Sequence, residues 1–287
     1  MLRAVALGFA MLCWASIFGS AHAVESQIVE VPALSPSLQG TATIPSRLWL
    51  PEANASRRPA VVLMHGCAGL QPLGGDVHFT MWARWYVERG FVVLVMDSHG
   101  ARGIDDACTL SSAKGLHEQR RLDPYSGLEY LIAEGYADPG KVIVQGHSLG
   151  GGTVLDVLAR NSPGPHRFAG GIAYYPWCDT GPYSANAPLL VLIGGADDWT
   201  PAARCKAMVR RSGSTAWPIS LFVYPGAYHS FDRDLPPTRT RWGHVVGRNE
   251  DAFQDSLVRV NEFLRRCAPT HAKQHEHALE FGQPTTR

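Results

Sequence analysis

The chain has 287 residues, 45% of them hydrophobic and 18% charged, which is ample material for a core and too little charge for a disordered polymer. Lys and Arg number 26 against 25 Asp and Glu, and the formal charge of +1 excludes the basic excess that drives sequence-independent binding of nucleic acid. With 29 Gly and 20 Pro the sequence is rich in turns without being of low complexity, and one large α/β domain is favoured over two small ones.

In chain order, the first segment reads as an export signal. Arg3 precedes an almost wholly apolar run from Ala4 to Gly19, and Ala21-His22-Ala23 offers small residues for cleavage after Ala23. The run is nearly long enough to span a membrane, but it closes in Gly19-Ser20 and a small-x-small site. The expectation is therefore a signal peptide over residues 1–23, a catalytic domain over 24–267, and a secreted or periplasmic protein with no stable membrane insertion. Cys67, Cys108, Cys178, Cys205 and Cys267 remain in that mature chain. The odd number forbids complete pairing, and the absence of CxxC or clustered Cys/His spacing makes a zinc site a weak reading.

From Arg47 onward, short apolar or β-branched runs alternate with longer segments of helical character, the pattern of a mostly parallel sheet covered by helices. The strand candidates are Val61 to Met64, Phe91 to Met96, Val142 to Val144, Gly171 to Tyr175, Leu189 to Ile193 and Ile219 to Tyr224. Their unbroken apolar character suits strands buried on both faces. Helices are expected at His78 to Arg89, Tyr125 to Glu134, Leu149 to Arg160, Pro201 to Arg211 and Asp251 to Arg266, the last with Phe253, Leu257, Val260 and Leu264 at helical spacing. Gly66 to Val77, Ser98 to His117 and Phe231 to Arg248 remain as long loops after strands, where α/β sheets bind ligands. The tail 268–287 is polar, aperiodic and expected to be flexible.

Gly146-His147-Ser148-Leu149-Gly150 lies between a predicted strand and a predicted helix, the context of a nucleophile elbow. Its glycines permit a strained turn that lifts the serine hydroxyl into the open, and the helix that follows aims N–H groups at a developing oxyanion. His65-Gly66-Cys67-Ala68-Gly69 ends an early strand, where this architecture places the other oxyanion donor, so the backbone N–H groups of Cys67 and Leu149 are the expected pair. His65 is read as structural, and His99 and His147 as shaping the site without performing catalysis. Downstream, Asp197 and Asp198 follow one strand and His229 another, giving the order Ser, acid, His. Composition does not choose between the two aspartates.

These segments, together with Asp97-Ser98-His99-Gly100-Ala101-Arg102-Gly103 and Asp197-Asp198-Trp199-Thr200-Pro201, resemble the dienelactone hydrolase family of the α/β-hydrolase superfamily, in its secreted or periplasmic form, over roughly Leu48 to Phe263. The resemblance implies an α/β-hydrolase fold without a large cap, and a Ser148–His229–Asp197 triad that hydrolyses small carboxylic esters or lactones with no metal or organic cofactor. The best-known members use a cysteine nucleophile, and Ser148 departs from them. The family's acid lies three residues after the glycine ending the strand and four before a proline, which Gly194 and Pro201 satisfy for Asp197; Asp198 is then expected to cap the following helix. The resemblance also implies a Cys178–Cys205 bridge. A second bridge, Cys67–Cys108, would join loops at one end of the sheet and leave Cys267 free. Arg102, with Arg120 and Arg121, is a candidate for pairing with a substrate carboxylate, as hydrolases of acidic lactones imply, and Trp177 and Trp199 are candidates for walls of the substrate pocket. The rival readings are a peptidase or acyltransferase on the same triad, and a noncatalytic binding protein of the same fold.

Overall fold

The computed structural model describes residues 26–34, 43–51, 57–70 and 75–270, without the side chains of 75 and 110–113. The expected signal segment and the tail beyond residue 270 lie outside the described residues. In chain order the elements are β1 (Ser26–Pro32), β2 (Thr43–Trp49), β3 (Arg58–Met64), α1 (Gly75–Val87), β4 (Val92–Met96), α2 (Leu110–Arg120), α3 (Asp123–Ala133), β5 (Ala137–His147), α4 (Leu149–Ala159), β6 (Gly170–Tyr174), β7 (Leu189–Gly194), α5 (Ala202–Ser212), β8 (Ile219–Tyr224), the short β9 (Thr238–Arg239) and β10 (Val245–Val246), and α6 (Glu250–Cys267).

The main sheet has eight strands in the order β1-β2-β4-β3-β5-β6-β7-β8. β1 pairs antiparallel with β2, and β2 antiparallel with β4, while every pairing from β4 to β8 is parallel. This is the doubly covered α/β arrangement that the alternating pattern implied, and each apolar run read as a strand is one. β4 and β7 are buried along their whole length, as the unbroken Val, Leu and Ile runs require.

Two differences have local causes. β1 and β2 were not read as strands because polar residues interrupt them: Ser26-Gln27 and Glu30 in one, Pro45-Ser46-Arg47 in the other. The alternating burial of β2 shows the period-2 pattern of a strand covered more fully on one face. α2 occupies ground assigned to a loop, since Leu110-Ser111-Ser112-Ala113-Lys114-Gly115 carries no apolar stripe. The helix is instead tied to α4 by a polar contact, His117 Nε2 to Asp156 Oδ2 at 2.8 Å.

Both expected disulfides are present. Cys67–Cys108 joins the loop after β3 to the loop after β4, and Cys178–Cys205 joins the segment after β6 to α5. Cys267, at the end of α6, is a half-buried free thiol whose pKa is raised by burial.

The Cys178–Cys205 bridge closes a loop with a sequence separation of 27 residues. On the chain-entropy model, Cys178→Ser with Cys205→Ser should lower stability by about 3–4 kcal/mol, read as a fall in the denaturant midpoint against the oxidised protein. Peptide mapping without reduction should recover the two cysteines as one linked pair.

Candidate active site

Ser148 stands between β5 and α4 at φ 56° and ψ −116°, a backbone conformation a serine adopts only when its surroundings enforce it. The enforcement comes from close backbone packing. A Cβ on Gly146 would lie 2.1 Å from the carbonyl oxygen of Gly150, and one on Gly150 would lie 2.2 Å from that of Met64, so both positions require glycine. Ser148 N–H donates to Tyr174 O at 2.9 Å, and Gly152 N–H donates to Ser148 O at 3.0 Å, fastening the turn to β6 on one side and to α4 on the other.

His229 follows β8, and its Nε2 is 3.0 Å from Ser148 Oγ. Its Nδ1 donates to Asp197 Oδ2 at 2.8 Å, and both the ring and the carboxylate are buried. Asp197 is held by its own turn: the backbone N–H groups of Trp199 and Thr200 donate to Oδ1 at 2.9 and 2.8 Å, and the Thr200 hydroxyl donates to Oδ2 at 2.8 Å. Burial by itself would raise the carboxyl pKa, but the charge of His229 and the hydrogen bonds from His229 and Thr200 together bring it below the ordinary value. The Tyr175 ring lies 4.6 Å from that of His229, and the Trp199 ring 5.2 Å from it on the acid-bearing turn. Chemically this is an alcohol hydrogen-bonded to an imidazole whose tautomer a buried carboxylate fixes.

A family model of the dienelactone hydrolase family matches residues 44–268. The chain belongs to the dienelactone hydrolase family. An uncharacterized protein of Mycobacterium tuberculosis is 26% identical over 202 residues, which cover 63% of this chain and 66% of the relative, so the match spans just under two thirds of that protein. Among solved structures, a putative dienelactone hydrolase from Klebsiella pneumoniae superposes with a TM-score of 0.66 at 17% identity, covering 85% of this chain and 99% of its own. A dienelactone hydrolase-like promiscuous phosphotriesterase from metagenomic libraries gives a TM-score of 0.64 at 20% identity, covering 86% and 99%. At these identities the structural likenesses establish the fold.

In this dienelactone hydrolase family member, the segment after β3 comes directly against the elbow. A Cβ on Gly66 would lie 3.4 Å from Ser148 Cβ and 4.0 Å from its Oγ, which brings the neighbouring Cys67 and, across the turn, Leu149 to the same end of the sheet. His65 lies beneath this segment: its Nδ1 meets Gly66 O at 2.7 Å and its carbonyl accepts from the buried Arg120 at 2.9 Å.

Four sequence expectations are corrected or refined by the contacts. Arg102 is committed to structure, with its guanidinium on both carboxylate oxygens of Asp123 at 2.8 and 2.9 Å and on the carbonyls of Ser98 and Gln119, so it is not free for a substrate carboxylate. Arg120 is fully buried, and desolvation lowers its pKa to about 10; Arg121 lies 3.9 Å from Glu118 at the surface. Trp177 is 44% exposed with the Arg204 guanidinium 4.1 Å from its ring, whereas Trp199 stacks on His244 at 4.8 Å and meets the His229 ring at a tilt, 5.2 Å away. Asp198 does not cap α5, whose first turn has no side-chain cap. Its Oδ1 accepts from Val245 N–H at 3.2 Å and faces His244 Nδ1 at 3.4 Å, because the chain returns over it at β10.

Sequence reading missed Thr200, Tyr175 and Asp232. Asp232 is fully buried; Tyr175 hydroxyl donates to its Oδ1 at 2.7 Å and Trp82 Nε1 to its Oδ2 at 2.9 Å. His147 Nε2 and His78 Nε2 lie 3.2 and 3.4 Å from Oδ2. The local string His229-Ser230-Phe231-Asp232 offered an acidic residue after the histidine, but nothing in it showed which way the carboxylate turns.

His65 and His99, with rings 4.5 Å apart, flank the segment facing Ser148. Desolvation, then the charge of Arg120, lowers both pKa values, that of His65 well below the usual value and that of His99 to about 4. Each is neutral in the fold and takes up a proton in the unfolded chain below about pH 6.5. Their contribution is complete above that pH and is lost as pH falls toward the folded values. Chemical denaturation should show stability falling as pH drops below about 6.5, with His99 alone contributing a slope approaching about 1.4 kcal/mol per pH unit between its unfolded value and its folded value of about 4. His99→Gln should remove that contribution.

Proposed function

We propose that this protein is a serine hydrolase of small carboxylic esters or lactones, with Ser148 as nucleophile, His229 as general base and acid, and Asp197 as the orienting carboxylate. The observation that carries the reading is the strained Ser148 backbone combined with a 3.0 Å contact between its Oγ and His229 Nε2. Ser148 Oγ attacks the ester carbonyl carbon while its proton passes to Nε2. The negative charge that gathers on the carbonyl oxygen is met by the backbone N–H groups of Cys67 and Leu149, the latter at the positive end of α4. Collapse breaks the bond to the leaving oxygen, which takes the proton from Nε2; in a lactone that alcohol stays attached to the acyl group. Water then gives a proton to Nε2, attacks the acyl-enzyme and releases the acid, and Ser148 recovers its proton.

Asp197 fits the orienting role because His229 and the Thr200 donors outweigh its burial and keep it ionised beside Nδ1, where it stabilises the imidazolium formed in each step. Asp198, half in solvent and turned toward His244, is outside the relay. Export to a secreted or periplasmic site is part of the same reading: two disulfides persist in such a compartment, and among the described residues no helix is long and apolar enough to cross a membrane.

Ser148→Ala should fold as the parent does and lower turnover of an activated ester by roughly 10⁴-fold or more. A fluorophosphonate should label the parent at Ser148 and leave the variant unlabelled. Rapid ester turnover by a folded Ser148→Ala would overturn the assignment.

Asp197→Asn should lower turnover by roughly 10⁴-fold with little loss of fold, because an amide favours the wrong tautomer and cannot stabilise the imidazolium. Asp198→Asn should stay within a few-fold of the parent, about the scale of a lost surface contact. Side-by-side kcat measurements on one ester check both, and the reverse ranking would make Asp198 the acid.

A further inference from the structure

Behind the nucleophile turn, three side chains from distant parts of the chain converge: His78 from the first turn of α1, His147 from the end of β5, and Asp232 from the loop after His229. All three are buried, and one ligand atom from each lies within 4.8 Å of the others. His147 Nε2 and His78 Nε2 are 3.2 and 3.4 Å from Asp232 Oδ2. Those separations would suit hydrogen bonds, yet both nitrogens are buried with no partner that meets hydrogen-bond geometry. Two unpartnered nitrogens this close to one carboxylate oxygen are spaced as ligands around a shared centre are. Ligands bound at 2.0–2.1 Å on one tetrahedral zinc stand about 3.3–3.4 Å apart.

We propose that His78, His147 and Asp232 form a zinc-binding site that pins α1, the strand leading into Ser148 and the loop carrying His229 to one another. Two imidazoles and a carboxylate are a borderline-soft donor set suited to zinc among divalent ions, with a water completing four-coordination. The outer partners are in place: the Tyr175 hydroxyl donates to Oδ1 and Trp82 Nε1 to Oδ2, which fix the carboxylate's rotation as second-shell bonds do in metal centres. The site lies outside the proposed catalytic relay, so the ion acts on stability and on the rigidity of the turn. His78, His147 and Asp232 are separated by 69 and 85 residues, which is why no metal-binding spacing is visible in the sequence.

The full chain, stripped with a chelator and dialysed, is titrated with Co²⁺ and, separately, with Zn²⁺. One Co²⁺ per chain with the intense visible absorption of a tetrahedral site is expected. Zinc at a hundredfold excess over its Kd should raise the thermal midpoint by roughly 5 °C or more. His78→Gln should weaken uptake by at least the roughly 10-fold that loss of even an outer partner costs. Ser148→Ala and the surface variant His166→Gln should bind as the parent does. Substoichiometric uptake, the weak spectrum of six-coordinate cobalt, or undiminished binding by His78→Gln would each overturn the proposal. Should His78→Gln not fold, the stoichiometry and spectrum of the parent decide alone.

Discussion

The turn at Ser148 makes demands that propagate outward through backbone alone. For the serine to hold φ 56°, α4 must begin immediately after β5, and Gly146 and Gly150 must let main chains touch where side chains would collide. The same contact presses Gly150 onto the carbonyls of Met64 and His65 at the end of β3. The central strand pair, the first turn of α4 and the segment from His65 to Gly69 are thus positioned by one packing constraint. Tyr174 O accepts the Ser148 N–H, so β6 is drawn into it as well. Any residue with a Cβ at Gly150 would have to part β3 from α4 and would relax the turn that presents the hydroxyl.

Two buried aspartates near this turn solve the cost of burying charge in different ways. Asp197 collects donors mostly from its own tight turn, Trp199 and Thr200, so its orientation is set locally before His229 arrives. Asp232 takes its donors from α1 and from the end of β6, through Trp82 and Tyr175, with His78 and His147 close by. Burial would raise its carboxyl pKa, and the neighbouring His78 and His147, with the Tyr175 hydroxyl, hold it far below the ordinary range instead. A local set of donors aims a carboxylate, whereas a distributed set cross-links elements. The division of labour follows from which donors each carboxylate has.

Much of this was legible in the chain because its signals are local. Apolar runs mark β3 to β8, and a glycine-flanked serine between a strand and a helix marks the elbow, since the backbone requirement falls on neighbouring residues. Polar β1 and β2 were hidden because a strand with one covered face needs only alternate apolar residues. α2 was hidden because its hold on α4 includes a polar contact between His117 and Asp156, which leaves no periodicity. Asp232 and the pairing of Arg102 with Asp123 were illegible for a further reason: each joins residues far apart in sequence, and the sign of a charge does not say what it meets.

Arg102 shows how such a side chain misleads. An arginine on a loop near Ser148 has the chemistry to hold a carboxylate, but this one spends both terminal nitrogens on Asp123 and on backbone carbonyls, with its side chain almost wholly out of water. Its effect is to brace the loop after β4. That loop is joined through Cys108 to Cys67, and Arg120, one helix away, holds the carbonyl of His65. Three ties therefore converge on the few residues facing Ser148. An oxyanion donor contributes most when it is fixed before charge develops, because no energy is then spent turning a dipole during the reaction. With the Cys67 N–H as the proposed donor to the oxyanion, the buried arginines and the disulfide supply that fixity.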